Sequence, residues 1–212
     1  MVLRMNRLIV WRLTCVLLGL AVLGDVHAQR AFAPRFSTNA KGDIAIVGNT
    51  VMSCSARAGA SNAANCTNAL AGISTSTSPT NNNFSMINVD MDSDPTTINS
   101  TSSTLAMPVG SSVLFAGLYW AADSGAATRN TVKLKLPGAA SYSSITATQL
   151  DNVGTAYQAF ANVTALVAAA GNGIYTAANV LTTTGSNQYG GWSLVVVYSN
   201  ATLPTPSCGA PW

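Results

Sequence analysis

The chain has 212 residues, which is enough for one β-sandwich domain and too few for two. Only 8% of the residues are charged and glutamate is absent, so every acidic side chain is an aspartate. The formal net charge is +3, but Arg4, Arg7 and Arg12 lie in a segment that we expect to be removed, and the nearly neutral remainder argues against nucleic acid and anionic lipid as partners.

Residues 1–28 have the pattern of a secretory signal peptide, with arginines before a short apolar stretch and small residues before the cleavage point. The apolar stretch, residues 13–23, is short for a bilayer span, so we expect no transmembrane span once the signal is cleaved after Ala28. Cleavage would also remove Cys15 and His27, the only histidine. We therefore expect an extracellular or cell-surface protein without an imidazole side chain.

The mature chain is predicted to begin with a polar lead-in, residues 29–40, and to form one domain over residues 41–204. Apolar or alternating runs separated by Gly, Pro, Asn and Asp predict its strands. These lie over 44–47, 50–54, 84–92, 112–123, 131–136, 142–150, 157–161, 173–180 and 192–198. This many short strands with turn signals between them predicts an all-β fold, an antiparallel β-sandwich of jelly-roll or immunoglobulin-like type.

The longest apolar run, residues 112–123, predicts a central strand that is buried on both faces. Its expected partner is the run 192–198. Strict alternation over residues 131–136 places Lys133 and Lys135 on the outward face of another strand.

One short helix is predicted over residues 163–170, with Asn162 as its N-cap and Gly171 at its end. Residues 56–83 are small and polar and are predicted to form a loop, because they offer too little apolar area to offset their ordering entropy.

Cys54 and Cys66 are expected to form a disulfide, because export exposes them to an oxidising environment. In the chain-entropy model a closed loop of about a dozen residues contributes roughly 3 kcal/mol. A structural metal would need more cysteine or histidine ligands than the mature chain contains.

Asp90, Asp92 and Asp94 place three carboxylates at alternate positions, at the end of a run whose residues Ile87, Val89 and Met91 are expected to face the interior. Calcium prefers several oxygen ligands at close range, so these aspartates are a candidate calcium site. The competing interpretation is the charged face of an edge strand. On a straight strand alternate residues are about 6.5 to 7 Å apart, so the calcium site requires the chain to curl just after the second aspartate.

Catalysis is not expected from this composition. With His27 removed there is no imidazole base, and a Gly-x-Ser-x-Gly motif is absent. Asp43, Asp123 and Asp151 could supply a carboxylate pair for glycoside hydrolysis, but nothing in the sequence brings any two together.

Five aromatic residues at or near strand ends could form a platform for stacking sugars. They are Tyr119, Trp120, Tyr189, Trp192 and Tyr198. Carbohydrate binding by such a platform is the alternative function, and packing in the core is the competing structural interpretation.

Four segments follow one another in a fixed order: 87–97, 114–122, 157–167 with 173–180, and 191–198. Together they resemble the N-terminal domain of large secreted or cell-surface bacterial proteins that continue into immunoglobulin-like repeats of unassigned function. The resemblance implies a non-enzymatic structural or adhesive module and brings no catalytic residues. In such proteins the last strand leads into more sheet, whereas residues 205–212 have no strand pattern and contain the unpaired Cys208. This departure predicts a truncated product whose downstream repeats are missing.

Overall fold

The computed structural model describes residues 33–73 and 83–204, and within them the chain from Thr38 onward belongs to one compact unit. Residues 33–37, the described end of a preceding unit, contain neither helix nor strand. The predicted signal peptide and the predicted tail with Cys208 lie outside the described residues. The elements are β1 (Gly42–Thr50), β2 (Met52–Cys54), α1 (Ala63–Leu70), β3 (Met86–Asn88), β4 (Ser100–Leu105), β5 (Ser112–Asp123), β6 (Thr131–Lys135), β7 (Ser143–Thr146), β8 (Gln149–Val153), β9 (Ala156–Asn162), α2 (Thr164–Ala170), β10 (Gly173–Ala178) and β11 (Gly190–Ser199).

The strands form two larger sheets and one small one. The five-stranded sheet has the order β1-β11-β5-β9-β8, the four-stranded sheet has the order β4-β10-β6-β7, and β2 pairs with β3. All of these strand pairs are antiparallel. The all-β antiparallel sandwich predicted from the sequence is therefore confirmed.

The core lies between the two larger sheets. Trp120 of β5 and Trp192 of β11 are direct cross-strand partners, and both are buried. The indole Nε1 of Trp192 donates a hydrogen bond of 2.9 Å to Oγ1 of Thr101, which belongs to the opposite sheet. Buried aliphatic residues of both sheets, such as Leu194 and Leu134, complete the same hydrophobic cluster.

The central strand matches the predicted bounds, 112–123. Residues 115–118 are all buried, so the middle of the strand is covered on both faces as predicted. On the side away from the sandwich core, the ring of Phe160 stacks on Phe115, with 6.5 Å between the ring centroids, and lies tilted against Tyr119 at 5.0 Å. Gly117 lies among these three rings.

Helix α2 begins one residue later than predicted. The prediction of Asn162 as the N-cap is wrong by one residue, because Val163 occupies that position. The side chain of Asn162 still accepts hydrogen bonds from the N–H and the hydroxyl of Thr164, at 3.0 and 2.7 Å. Gly171 ends the helix with a φ of 68°, a left-handed value that favours glycine. The Thr164 hydroxyl also accepts a 2.9 Å bond from the N–H of Ala116, which joins the helix to β5.

The prediction of a loop over residues 56–83 is wrong for Ala63–Leu70, which form helix α1, and its part 74–82 lies outside the described residues. The segment contains three alanines and one leucine, which have high helix propensity, but only Cys66 is buried, so it lacks an apolar periodicity. The expected disulfide is confirmed, because Cys66 bonds to Cys54 at the end of β2 with an S–S distance of 2.02 Å. This crosslink holds a helix that its sequence pattern does not reveal.

The predicted inward face of residues 87–91 is also wrong. Ile87 and Met91 are 45% and 62% exposed, and Val89 is half-buried. Phe84 and Met86 are buried instead, at positions of the opposite parity. Because side chains alternate along a strand, a shift of phase by one residue exchanges the buried and exposed faces.

We predict that position 117 in β5 tolerates no residue larger than glycine. An added Cβ would lie 2.9 Å from the ring of Phe160, 3.0 Å from Tyr119 and 3.2 Å from Phe115. We expect Gly117→Val to lower the free energy of unfolding by about 1 to 3 kcal/mol through overpacking, measured by urea denaturation. The matched variant Gly125→Val, where nothing lies within 4 Å, should change it by less than about 0.5 kcal/mol. Equal effects at both positions would contradict this account.

Candidate ligand cleft beside the aspartate loop

The three candidate calcium ligands lie in the loop between β3 and β4, residues 89–99, which we call the aspartate loop. Ser93 in this loop has a φ of 53°, so the chain curls just after Asp92, where a calcium site would require it. Ser100 holds the start of the loop, because its hydroxyl donates to Oδ1 of Asp90 at 2.8 Å. The same hydroxyl oxygen accepts the N–H groups of Met91 and Asp92, at 2.8 and 3.0 Å.

Asp92 is the centre of the loop's polar contacts. Its Oδ1 accepts hydrogen bonds from the N–H of Asp94 at 3.1 Å and from the hydroxyl of Thr97 at 3.2 Å. Its Oδ2 accepts a hydrogen bond from the phenol of Tyr142. Asp94 in turn accepts the N–H of Thr96 at 2.8 Å. Each of the three carboxylates thus has its own donors within or beside the loop.

These contacts do not bring the three carboxylates around one point. In the part of the chain that the structure describes, no three acidic, histidine or cysteine side chains are grouped so that they could hold a metal ion. The calcium site at Asp90, Asp92 and Asp94 stays a prediction of the sequence, and it requires the carboxylates to exchange their present donors for the ion.

The calcium prediction has a direct thermal test. If the ion binds, millimolar Ca²⁺ should raise the Tm of the protein, because a ligand that binds only the folded state stabilises it. Asp92→Asn should remove this rise, since the variant loses the central carboxylate. An unchanged Tm of the parent protein in calcium would end the proposal.

Two lysines of β6 flank Tyr142, and both point outward as the alternation predicted. The ammonium of Lys133 lies 6.0 Å from the centroid of the Tyr142 ring, and that of Lys135 lies 5.9 Å from it. Both distances are within the range of cation–π attraction. The Lys133 ammonium also donates to the carbonyl and hydroxyl oxygens of Thr96, at 3.0 and 2.9 Å. Through this lysine, β6 holds the far side of the aspartate loop.

The hydrogen bond between Tyr142 and Asp92 shifts the pKa values of both side chains. Burial raises the pKa of its carboxyl, but the hydrogen bonds from Tyr142 and from the Asp94 amide outweigh burial and lower the pKa from 3.8 to about 2. Burial, and then the hydrogen bond to Asp92, raise the pKa of Tyr142 well above its ordinary value. Tyr142 therefore remains a protonated donor, and Asp92 a charged acceptor, over the whole physiological pH range.

A cleft of about 320 Å³ opens between the aspartate loop, the outward face of the four-stranded sheet and the turn after β6. Its lining combines one aromatic ring, two charged groups, two hydroxyls and several apolar groups. The lining residues are Met91, Asp92, Ser102, Lys135, Leu136, Gly138, Ala139, Tyr142, Ile174 and Thr176. The Ser102 and Thr176 hydroxyls are 2.8 Å apart and hydrogen-bond to each other.

The aromatic platform considered from the sequence is not assembled by the fold. Trp120, Trp192 and Tyr198 are buried in the core, and Tyr119 is half-buried against Phe160. Tyr189 is the one of the five that is largely exposed, at 50%.

Sequence reasoning missed Tyr142, the aromatic side chain that lines the cleft. The sequence contains one signal that could have predicted its position. Lys133 and Lys135 are on the outward face of their strand, and the Pro137-Gly138 turn after it brings the chain back beside them. That pattern places Tyr142 near two cations but does not reveal its partner Asp92, which lies 50 residues earlier.

The chain matches no family model, no curated protein and no solved structure. The resemblance to N-terminal domains of bacterial surface proteins therefore stays a prediction. Within residues 33–73 and 83–204, no helix is long and apolar enough to cross a membrane.

Tyr142→Phe should change the titration of Asp92. The variant loses the donor at Oδ2, so the pKa of Asp92 should rise from about 2 toward 3.8, as followed by carboxyl ¹³C NMR. A carboxyl whose pKa is lower in the folded than in the unfolded state stabilises the fold at pH values above its unfolded pKa. The parent protein should therefore lose the contribution of Asp92 to the free energy of unfolding as the pH falls from about 4 to about 2. Because Asp92 is largely exposed to solvent, its contribution to the free energy of unfolding should stay below about 1 kcal/mol. Tyr189→Phe is the control, and an equal pKa change in both variants would contradict the assignment.

Proposed function

We propose that this chain is an exported, non-catalytic β-sandwich module with a structural or adhesive role outside a bacterial cell. The predicted signal peptide and the resemblance to surface-protein domains motivate the compartment and the class. The disulfide between Cys54 and Cys66 supports the compartment, because such bonds persist mainly outside the cytosol.

One observation carries the non-catalytic part of the proposal: the aspartates that the structure describes serve as local hydrogen-bond acceptors. Asp90, Asp92 and Asp94 hold the aspartate loop, as described above. Asp43 accepts the N–H of Ile44 at 2.7 Å, and Asp123 accepts the Thr155 hydroxyl at 3.1 Å.

Asp151 follows the same pattern on β8, where its Oδ2 accepts the side-chain amide of Gln149 at 2.5 Å. A carboxylate used in this way fixes a turn or a strand end. Acid–base chemistry would instead need a carboxyl aimed at a reacting group with a pKa near the working pH. The lowered pKa of Asp92 moves it away from that range.

Export of the full chain from a bacterium should remove the signal peptide and oxidise the Cys54–Cys66 pair, and both changes can be measured. We expect a secreted form that has lost residues 1–28 by mass spectrometry. Cys54 and Cys66 should resist alkylation until a reductant is added. In Cys54→Ser, Cys66 should become reactive after unfolding without reductant. A cytosolic, uncleaved chain with three reactive thiols besides Cys15 would contradict the proposal.

The adhesive role and the absence of catalysis need a second measurement. Bacteria that export the full chain to their surface should attach to a layer of other cells more than bacteria with an empty vector. Asp123→Asn should retain that attachment, because the carboxylate only supports a strand end. Turnover of a substrate by the exported protein, abolished by this single substitution, would overturn the non-catalytic proposal.

A further inference from the structure

We propose that the cleft beside Tyr142 binds one neutral sugar unit, held by Lys135, Asp92 and the tyrosine ring. The inference rests on the proposed adhesive function, for which it names the ligand. It replaces the platform of strand-end aromatics, most of which lie in the core, with a different set of residues.

The size and lining of the cleft set the ligand class. Ligand pockets range from about 300 to 1,000 Å³, so a cleft of about 320 Å³ suits a small ligand such as a single sugar ring. Met91, Leu136 and Ile174 offer apolar surface, while Ser102 and Thr176 offer hydroxyls. A sugar ring presents the same mixture, with C–H groups on its faces and hydroxyls around its rim.

Lys135 supplies the donors. Its ammonium lies 5.9 Å from the Tyr142 ring centroid and makes no hydrogen bond to the residues that the structure describes. An ammonium has three N–H donors, so they can bind ligand oxygens. Lys133, two residues earlier on the same face, differs because Thr96 already accepts from it. Of the two lysines beside the tyrosine, Lys135 is the one that lines the cleft.

Asp92 supplies the acceptor. Asp92 lines the cleft, and its two carboxylate oxygens accept hydrogen bonds from several directions. A ligand hydroxyl can therefore donate to it beside the present donors, which are the Asp94 amide, the Thr97 hydroxyl and the Tyr142 phenol. The Ser102–Thr176 pair adds a further group, because only one of the two hydroxyls donates to the other. The second hydroxyl keeps its proton for a ligand oxygen. Donors and acceptors thus line the same cleft, as a polyhydroxylated ligand requires.

The charges select a neutral ligand over an anionic one. Asp90, Asp92 and Asp94 carry three negative charges around the loop, and Lys133 and Lys135 carry two positive charges beside it. An acidic sugar, a sulfate or a phosphate would meet a slightly negative surrounding and would be disfavoured. A neutral sugar avoids that repulsion and still uses the charged donor and acceptor. The apolar body of the Tyr142 ring provides surface for the C–H face of the sugar.

The test uses the exported full chain, titrated with the methyl glycosides of glucose, galactose, mannose and N-acetylglucosamine. We expect at least one of them to bind saturably in the millimolar range, with NMR shifts concentrated at Lys135 and Thr176. Lys135→Met should weaken binding by about tenfold or more, as expected when a charged hydrogen bond is lost. Tyr142→Ala should weaken it similarly, whereas Tyr189→Ala, outside the cleft, should leave it unchanged. Melting curves confirm that each variant is folded.

Three outcomes would overturn the inference. They are no saturable binding of any neutral glycoside, unchanged binding by folded Lys135→Met, and tighter binding of methyl glucuronide than of the neutral glycosides. The attachment assay separates this failure from failure of the proposed function. If Lys135→Met bacteria attach as well as the parent, the adhesive proposal stands and the cleft is not its ligand site.

Discussion

The whole structure depends on the packing of two tryptophans between the sheets. Trp120 and Trp192 are cross-strand neighbours on β5 and β11, and the indole N–H of Trp192 reaches across the core to Thr101 of β4. This bond satisfies a buried polar group, which would otherwise cost about 1 to 3 kcal/mol, and it connects the two sheets directly. The two rings pack with buried aliphatic residues of both sheets, such as Leu194 and Leu134. Because side chains alternate along a strand, the neighbours of the buried residues in each strand face away from the core.

The outward face of the four-stranded sheet then becomes the site of interest. β6 buries Val132 and Leu134 and must therefore present Lys133 and Lys135 on the other side. The aspartate loop folds over this face because Ser100 holds one end of it and Tyr142 holds Asp92. The cleft is thus a consequence of loop placement on a rigid sheet, which is a common arrangement for binding sites. The proposed binding role uses this geometry and requires no catalytic group.

The few ionisable side chains around the aspartate loop differ in their partners. Asp92 shows this most clearly, because its donors lower its pKa to about 2 and keep it charged as an acceptor. Lys133 holds the loop through Thr96, whereas Lys135, two residues later, faces the cleft. The proposal of a non-catalytic module rests on this use of the described charges.

The sequence alone determined the sandwich class, the bounds of β5, the outward lysines and the Cys54–Cys66 pair, because periodicity and a two-cysteine loop are local signals. It did not reveal α1, which has one buried residue and is held by the disulfide. Alternation in residues 84–91 does not show which of the two faces is buried. The packing of Phe84 and Met86 into the core decided it. Tyr142 and Asp92 are 50 residues apart, and only the sheet brings them together. Local pattern thus determined most of the strands, whereas α1, the phase of residues 84–91 and the cleft depended on long-range contacts that exist only in the folded chain.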